Sequence, residues 1–301
     1  MITIIITSFK EQLTIGKAID SFLNQNIKEK YEIIVSTPDE ETINLVKNYS
    51  KKNKHVKLFR DPGKGKMLAL NLLFKKIKKS DILILTDGDV YVSKNSVNEI
   101  LKAFKDPKVG CVTGHPVSIN EKKNMLGYWS HLLLHGAHKA REKRNNLGQY
   151  FTCSGYLFAF RNRVVKEFQT DIPEDAIIPH IFMAEGYKLK YLPEAQVSVK
   201  YPDNFRDWNA QKKRVSKAYI NLGKVIYEGK KVPKMKSFLN EAIEGTLIAL
   251  TYPRNLKEVY FTLMLFPARL YIWLYAYYES KIKKQLHKDA WKQIESTKIV
   301  K

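Results

Sequence analysis

From residue 1 to about 115, short aliphatic runs alternate with longer stretches whose apolar positions recur every three or four residues. The runs are TIIIT, EIIVS, VKLF and ILILT, and the helical stretches fall near 11–25, 40–52 and 65–79. Continuous aliphatic runs mark strands covered on both faces, and their alternation with helices predicts βαβ units in a mostly parallel sheet. Residues 94–105 and VGCVTG extend the alternation. A basic, helix-like insertion follows over 121–145, then a strand at about 156–160, a helix near 175–186 and two strand-like runs, KLKYL and AQVSVKY. From roughly 205 onward the pattern is helical. The expected fold class is α/β, Rossmann-like, with a mixed, mostly parallel sheet in residues 1–205 and a helical region in 206–301. Loops leaving the carboxyl ends of such strands converge on one rim, where open α/β sheets bind ligands.

Composition narrows the partners. With 301 residues and 44% apolar content the chain can build a core, which argues against disorder. A formal charge of +22 and 12% aromatic residues point to an anionic partner: nucleic acid, a phospholipid surface or a phosphorylated ligand. No nucleic-acid-recognition motif accompanies the charge, so no nucleic-acid partner is expected. Cys111 and Cys153 are the only cysteines, too few for a disulfide framework, which favours a reducing compartment. MITIIITSF has neither a basic leading region nor a small-residue cleavage site and reads as a first strand.

The segment VYFTLMLFPARLYIWLYAYY (259–278) approaches the length of a membrane span, but Pro267 and Arg269 interrupt it and tyrosines crowd its second half. With FLNEAIEGTLIALTY (238–252) it is expected to form an interfacial or re-entrant helix pair. Lysine-rich segments at 229–236 and 281–292 would then face anionic lipid headgroups, at about 1 kcal/mol per charge. The expected location is the cytoplasmic face of the cell membrane, whether peripheral, re-entrant or single-span.

ILILTDGDVYV (82–92) places Asp87 and Asp89 just past the end of a buried strand. Hard carboxylate oxygens at this spacing suit Mg2+ or Mn2+, and Gly88 between them lets a ligand backbone approach. An Asp-Gly turn is the plain alternative. Glu174 and Asp175, after Pro173 at the start of a helix, are either first-turn acids that complement the helix dipole or catalytic carboxylates. His131, His135 and His138 share one helical face. Lacking a fourth ligand, they read as the boundary of an amphipathic helix and not as a zinc site, and His180 reads as structural.

Five motifs in order carry a resemblance. IITSFKE (5–11) keeps an aromatic residue and a glutamate, Phe9 and Glu11, in the turn after the first strand. GKMLALN (65–71) supplies Gly65, Lys66, Ala69, Leu70 and Asn71, and the DGD triplet follows. CSGYLFAFR (153–161) is a small-residue strand motif, and PEDAIIPHIFMAEGYKLKYLPEA (173–195) holds a Glu-Asp pair before a helix that ends in Gly-Tyr. Over roughly its first two-thirds the chain resembles the family 2 glycosyltransferases of the GT-A fold, of a non-processive, membrane-associated type.

The resemblance implies an inverting transfer of a sugar from a UDP- or GDP-sugar to a lipid-linked or glycan acceptor. It implies donor contacts from Thr7, Glu11, Asp39, Lys66, Asp87 and Gly155, and a Mg2+ or Mn2+ ion on Asp87 and Asp89. It further implies Asp175 as general base beside Glu174, and acceptor contacts from Gln211 and Arg214. Two departures qualify it. STPDEET (36–42) stands where the family has an Asp-Asp-Gly-Ser turn that reads the nucleobase, which leaves Asp39 for that role. QKKRV (211–215) has Val215 in place of the tryptophan of Gln-x-x-Arg-Trp, which favours single-sugar transfer over polymer synthesis. Two other classes stay in view. A nucleotidyltransferase would need a glycine-rich basic loop that TSFKEQ lacks, and a basic nucleic-acid- or membrane-binding protein would need no catalytic constellation.

Overall fold

The computed structural model describes residues 1–167, 172–222, 226–227, 230–233, 235, 237–283 and 294–297. In chain order the first elements are β1 (Ile2–Thr7), α1 (Ile15–Leu23), β2 (Tyr31–Thr37), α2 (Glu40–Lys52), β3 (Val56–Arg60), α3 (Lys66–Lys76), β4 (Ile82–Asp87) and β5 (Val90–Val92). There follow α4 (Ser96–Ala103), β6 (Val109–Ser118), α5 (Met125–Asn146), β7 (Leu157–Arg161), α6 (Glu174–Ala184), β8 (Lys188–Val199) and α7 (Phe205–Leu222). The remainder includes a two-residue strand pair, β9 (Ile226–Tyr227) and β10 (Lys230–Lys231), and the helices α8 (Phe238–Asn240), α9 (Thr246–Thr251) and α10 (Leu256–Tyr277), with π-helical turns at Glu241–Gly245 and Tyr278–Ile282 and a 3-10 turn at Glu295–Thr297.

Side-chain alternation sorts the sheet's two faces. Ile4 and Ile6 of β1 pack with Ile15, Ile19 and Phe22 of α1, Val46 of α2 and Ile100 of α4. Ile5 points the other way and joins Leu83 and Leu85 of β4, Leu70 and Leu73 of α3, and Ile177 and Phe182 of α6. A strand buried on both sides has no polar face to show, which is why β1 and β4 read as unbroken aliphatic runs. Asp39 caps α2 by accepting the Thr42 amide at 3.0 Å. Glu40 and Glu41 in its first turn and Lys51 and Lys52 in its last complement the helix dipole.

Among the described residues the main sheet has eight strands in the order β3-β2-β1-β4-β7-β6-β8-β5. Strands β3, β2, β1 and β4 are parallel, and Thr7 is in register with both Ser36 and Asp87. Their carboxyl ends therefore form one rim. Strand β7 runs antiparallel beside β4, with Leu157 opposite Thr86, so the turn that precedes β7 arrives at the same rim.

The runs KLKYL and AQVSVKY are one strand, β8, and not two. Its pairing with β6 shifts between Thr113 and His115, where the partner jumps from Tyr191 to Gln196. The intervening residues include Pro193, which has no N–H for a ladder and is accommodated in the irregularity. The β9–β10 pair is a second departure, a short antiparallel contact inside a region whose pattern is otherwise helical.

The C-terminal helices dock through a core of their own. Tyr128, Trp129 and Leu132 of α5 pack with Trp208 of α7, Ala249 of α9, and Leu265 and Ile272 of α10. Burying a side chain such as Leu132 or Ile272 contributes about 1.5–3 kcal/mol each. Helix α10 runs on through Pro267, so the proline does not end it. Arg269, two residues after Pro267, is paired instead of exposed to solvent: its Nε and Nη2 lie 2.5 and 2.6 Å from the two oxygens of Glu241. Most of the lysine-rich segments at 229–236 and 281–292 lies outside the described residues.

Candidate active site

The rim holds a chain of charges bridged by one lysine. Lys66, the first residue of α3, is buried, and its Nζ lies 2.6 Å from Asp87 Oδ1 and 2.6 Å from Glu174 Oε1. Asp87 Oδ1 also accepts the Thr7 hydroxyl at 3.0 Å, as the β1–β4 register dictates. Burial works against the charged ammonium, but Asp87 and then Glu174 outweigh it and hold the Lys66 pKa above its ordinary value. Burial also pushes the Glu174 carboxyl upward; Lys66 pulls against that shift, and Asp175 and Asp87 reinforce it. Lys66 is thus the internal counter-ion of two carboxylates and not a solvated surface lysine.

Glu174 and Asp175 open α6, and the Asp175 carbonyl accepts the Cys153 amide at 2.7 Å. That bond ties the first turn of α6 to the strand approach at Cys153, Ser154 and Gly155. The Tyr219 hydroxyl of α7 reaches both Asp175 carboxylate oxygens at 3.3 and 3.4 Å, long contacts that orient more than they bind. A Cβ built on Gly155 would stand 3.8 Å from Glu174 Oε1 and 4.0 Å from Asp175 Oδ2, so any larger side chain there would point at this acidic pair.

Gly88 has a different reason to be glycine than the approach of a ligand. A Cβ at this position would stand 2.2 Å from Glu11 Oε2 and 2.8 Å from Ser8 Oγ, so the residue is fixed by the chain's own β1–α1 turn packing against the β4–β5 turn. The Gly88 amide donates to the Thr7 carbonyl at 2.9 Å, which locks the two turns together.

One cavity of about 950 Å³ gathers Thr7, Glu11, Lys66, Asp87, Asp89, Gly155, Glu174, Asp175, Gln211 and Arg214. Gln211 Oε1 is buried and takes no hydrogen bond among the described residues. Asp39 stays outside the cavity lining. Its carboxylate is occupied by the Thr42 and Lys10 amides and the Thr37 hydroxyl, and these hydrogen bonds outweigh burial and lower its pKa. Sequence reading missed Tyr219 and the Glu241–Arg269–Trp273 group. They are remote in the chain from any motif, and only the packing of α7 and α10 over the rim places them on the same cavity.

Asp87 and Asp89 fit a divalent cation on the chemistry of their donors. Mg2+ is typically held by one or two carboxylates and completes its shell with substrate phosphates and water. Both residues line the same cavity at the end of β4.

The histidines of α5 take separate partners, although the His135 and His138 ring centroids lie 6.2 Å apart. His131 Nε2 lies 2.7 Å from the Asn120 carbonyl, His138 Nδ1 lies 2.8 Å from the Tyr191 hydroxyl, and the His135 ring packs on Tyr252. His180 is buried on α6, edge-on to Tyr150 and Tyr227. His115 of β6 stacks on His138 with centroids 4.5 Å apart. Burial, with the adjacent His138 second, pushes His115 from 6.5 down to about 4. The neutral ring is favoured in the folded chain, so this contribution is complete above pH 6.5 and is lost as pH falls toward about 4. His115→Asn is expected to flatten that part of the acid dependence, measured as the difference in urea midpoint between the two proteins at pH 7, 5.5 and 4.

A parallel half-sheet whose last strand, β4, ends at Asp87 with Asp89 just beyond it, joined through Lys66 to the acidic pair that opens α6, is an α/β fold of the GT-A-like class. Residues 1–218 match the family described as "Glycosyltransferase like family 2", and the chain belongs to that family. The poly-beta-1,6-N-acetyl-D-glucosamine synthase of Staphylococcus aureus is 26% identical over 209 residues, covering 67% of this chain and 50% of that protein. The chain spans about half the length of the curated relatives it matches. The mannosyltransferase PcManGT from Pyrobaculum calidifontis, solved with GDP-Man and Mn2+, superposes with a TM-score of 0.66 at 16% identity, over 94% of this chain and 88% of that one. Staphylococcus aureus TarS 1–349, solved with UDP-GlcNAc, gives a TM-score of 0.53 at 13% identity, over 91% of this chain and 79% of that one.

Proposed function

We propose that this chain transfers single sugars, with inversion, from a UDP- or GDP-sugar to a lipid-linked or cell-surface glycan acceptor at the cytoplasmic face of the cell membrane. The observation that carries the reading is the meeting of Asp87, Asp89 and Asp175 on one cavity, with Lys66 holding the two acidic pairs at a fixed separation. The donors in the two solved neighbours, GDP-Man and UDP-GlcNAc, are the first to try.

A Mg2+ or Mn2+ ion on Asp87 and Asp89 would act as a Lewis acid toward the departing diphosphate. The remaining work falls to side chains. Asp175 takes the acceptor hydroxyl proton as that oxygen bonds to the anomeric carbon, and the bond from carbon to phosphate oxygen breaks with its electron pair leaving on the nucleoside diphosphate. Attack opposite the leaving group inverts the anomeric centre. Tyr219 orients the Asp175 carboxylate. Thr7 and Lys66 hold the Asp87 carboxylate in place, and Glu11 lies on the donor side of the cavity. Gln211 offers the acceptor a buried oxygen that takes no hydrogen bond among the described residues, with Arg214 one turn away. Asp39 contributes to the nucleobase side through the turn it caps, by holding the Lys10 amide.

Residues 1–205 carry the donor and metal site and the general base in this reading, and 206–301 carry the acceptor contacts of α7 and the membrane contact. Leu256–Ser280 is long and apolar enough to cross a membrane, and 33% of its apolar stretch is buried. Leu239, Leu247 and Leu256 are exposed, an apolar surface of the kind that faces lipid. An anionic leaflet complements the net charge of +22.

Asp89→Ala tests the metal site. The wild type is expected to rise in Tm with UDP-GlcNAc or GDP-mannose plus Mn2+, more than with either component alone, and the variant to lose that increment. An unchanged response in the variant counts against the assignment.

A further inference from the structure

The cavity is walled by more than the rim. Its lining includes an apolar arm, the side chains of Phe238, Ile248, Leu265, Phe266, Leu270 and Trp273 from α8, α9 and α10. Helix α7 joins the two ends: Tyr219 touches Asp175, and Arg214, Lys212 and Gln211 line the cavity roughly one to two turns earlier. The backbone is built for this arm. Between α8 and α9 the helix passes through a π-helical turn, Glu241–Gly245, and Glu241, Ala242, Glu244 and Gly245 of that turn all line the cavity. π turns are rare and concentrate at functional sites. The turn is braced from two sides. Arg269 and the Trp273 indole bind Glu241, and Lys143 and Arg144 of α5 bind Glu244. A cavity of about 950 Å³ that brings these apolar walls together with the Lys212 and Arg214 side chains suits a molecule with a polar head and a hydrocarbon tail.

Resting on the glycosyl-transfer reading above, we propose that this arm is a hydrocarbon-chain site. It takes the tail of an amphiphilic acceptor whose phosphate-bearing head lies between Lys212 and Arg214, with its nucleophile directed to Asp175. The helices that wall the arm also carry the exposed leucines on their outer side, so a chain would pass from lipid into the cavity between surfaces of like character.

The test compares dodecyl phosphate with butyl phosphate, both below micellar concentration, by calorimetric titration of the full chain. Dodecyl phosphate is expected to bind about 100-fold more tightly or better, since each added methylene in an apolar site contributes to affinity. Ile248→Trp and Leu270→Trp fill the arm and are expected to remove most of that preference. Leu270 is half-exposed, so its variant has room to fold if the first does not. Leu247→Glu alters the outer face without touching the cavity and is expected to keep the preference. Equal affinity for the two phosphates overturns the proposal. So does loss of the preference in Leu247→Glu with retention in the two tryptophan variants, which would place the chain on the outer face. Stabilisation by UDP-GlcNAc or GDP-mannose with Mn2+ is measured on the same proteins. Donor binding without chain-length preference sinks this inference alone, and chain binding without any donor response sinks the parent reading.

Discussion

Asp175→Asn is expected to slow transfer to a hydroxyl acceptor by about 100- to 10,000-fold, the range general-base catalysis contributes, while leaving donor binding intact. The substitution isolates one property. Asparagine keeps the size of the side chain and an oxygen for the Tyr219 hydroxyl, whose contacts at 3.3 and 3.4 Å are already long. The Asp175 carbonyl that receives the Cys153 amide belongs to the backbone and is untouched. What disappears is the ability to accept a proton. Donor binding is read separately from thermal stabilisation by nucleotide-sugar with Mn2+, because Asp87 and Asp89 lie at the other end of the charge chain. Unchanged turnover removes Asp175 from the base role. An acceptor that attacks through an already ionised phosphate oxygen needs no base, so the variant also sorts acceptors: only hydroxyl nucleophiles should feel the loss.

Lys66→Met is the second large effect, and it falls on stability as well as on chemistry. Methionine fills much of the same volume but leaves Glu174 buried without its counter-ion, and removing one partner of a buried ion pair costs about 3–5 kcal/mol. The loss depends on pH in a definite direction. With Lys66 gone, the Glu174 carboxyl has burial, Asp175 and Asp87 all raising its pKa in the folded state above the unfolded value. A carboxyl raised by folding is least costly when protonated in both states. The variant's deficit therefore shrinks as pH falls toward the unfolded glutamate value of about 4.3 and is largest at neutral pH. Urea unfolding at pH 7 and pH 5 reads this directly. The double variant Lys66→Met/Glu174→Gln is expected to be more stable than Lys66→Met alone, since no charge is left stranded at position 174. If both proteins unfold at the same urea concentration, the bridge through Lys66 contributes little and its place in the site is one of position only.

These two predictions draw on information of different kinds. Asp175 is visible in the sequence because an acidic pair after Pro173, at the onset of a helix, is a local pattern. The bridge from Lys66 to Glu174 is not, since 108 positions separate the two residues and nothing in either neighbourhood specifies the other. The same contrast holds at Gly88. Its place between two aspartates is legible, but its cause is the close approach of Glu11 and Ser8 from another loop.

By itself the sequence determined the period of each segment, and through it the parallel half-sheet, the rim at the carboxyl ends and the order of motifs that marks the family. Strand and helix periodicities are local properties, written within a few residues. Tertiary structure alone decided three other matters. It joined KLKYL and AQVSVKY into a single strand around Pro193, because β6 supplies the pairing that carries the chain across the irregularity. It held Asp39 in a helix cap and away from the cavity, because three donors from neighbouring turns converge on that carboxylate. It carried α10 through Pro267 and paired Arg269 with Glu241, because a core shared with α5 and α7 stabilises the helix beyond what its own backbone bonds provide. Each of these rests on contacts between residues far apart in the chain, whose energies enter only once the fold has brought them together.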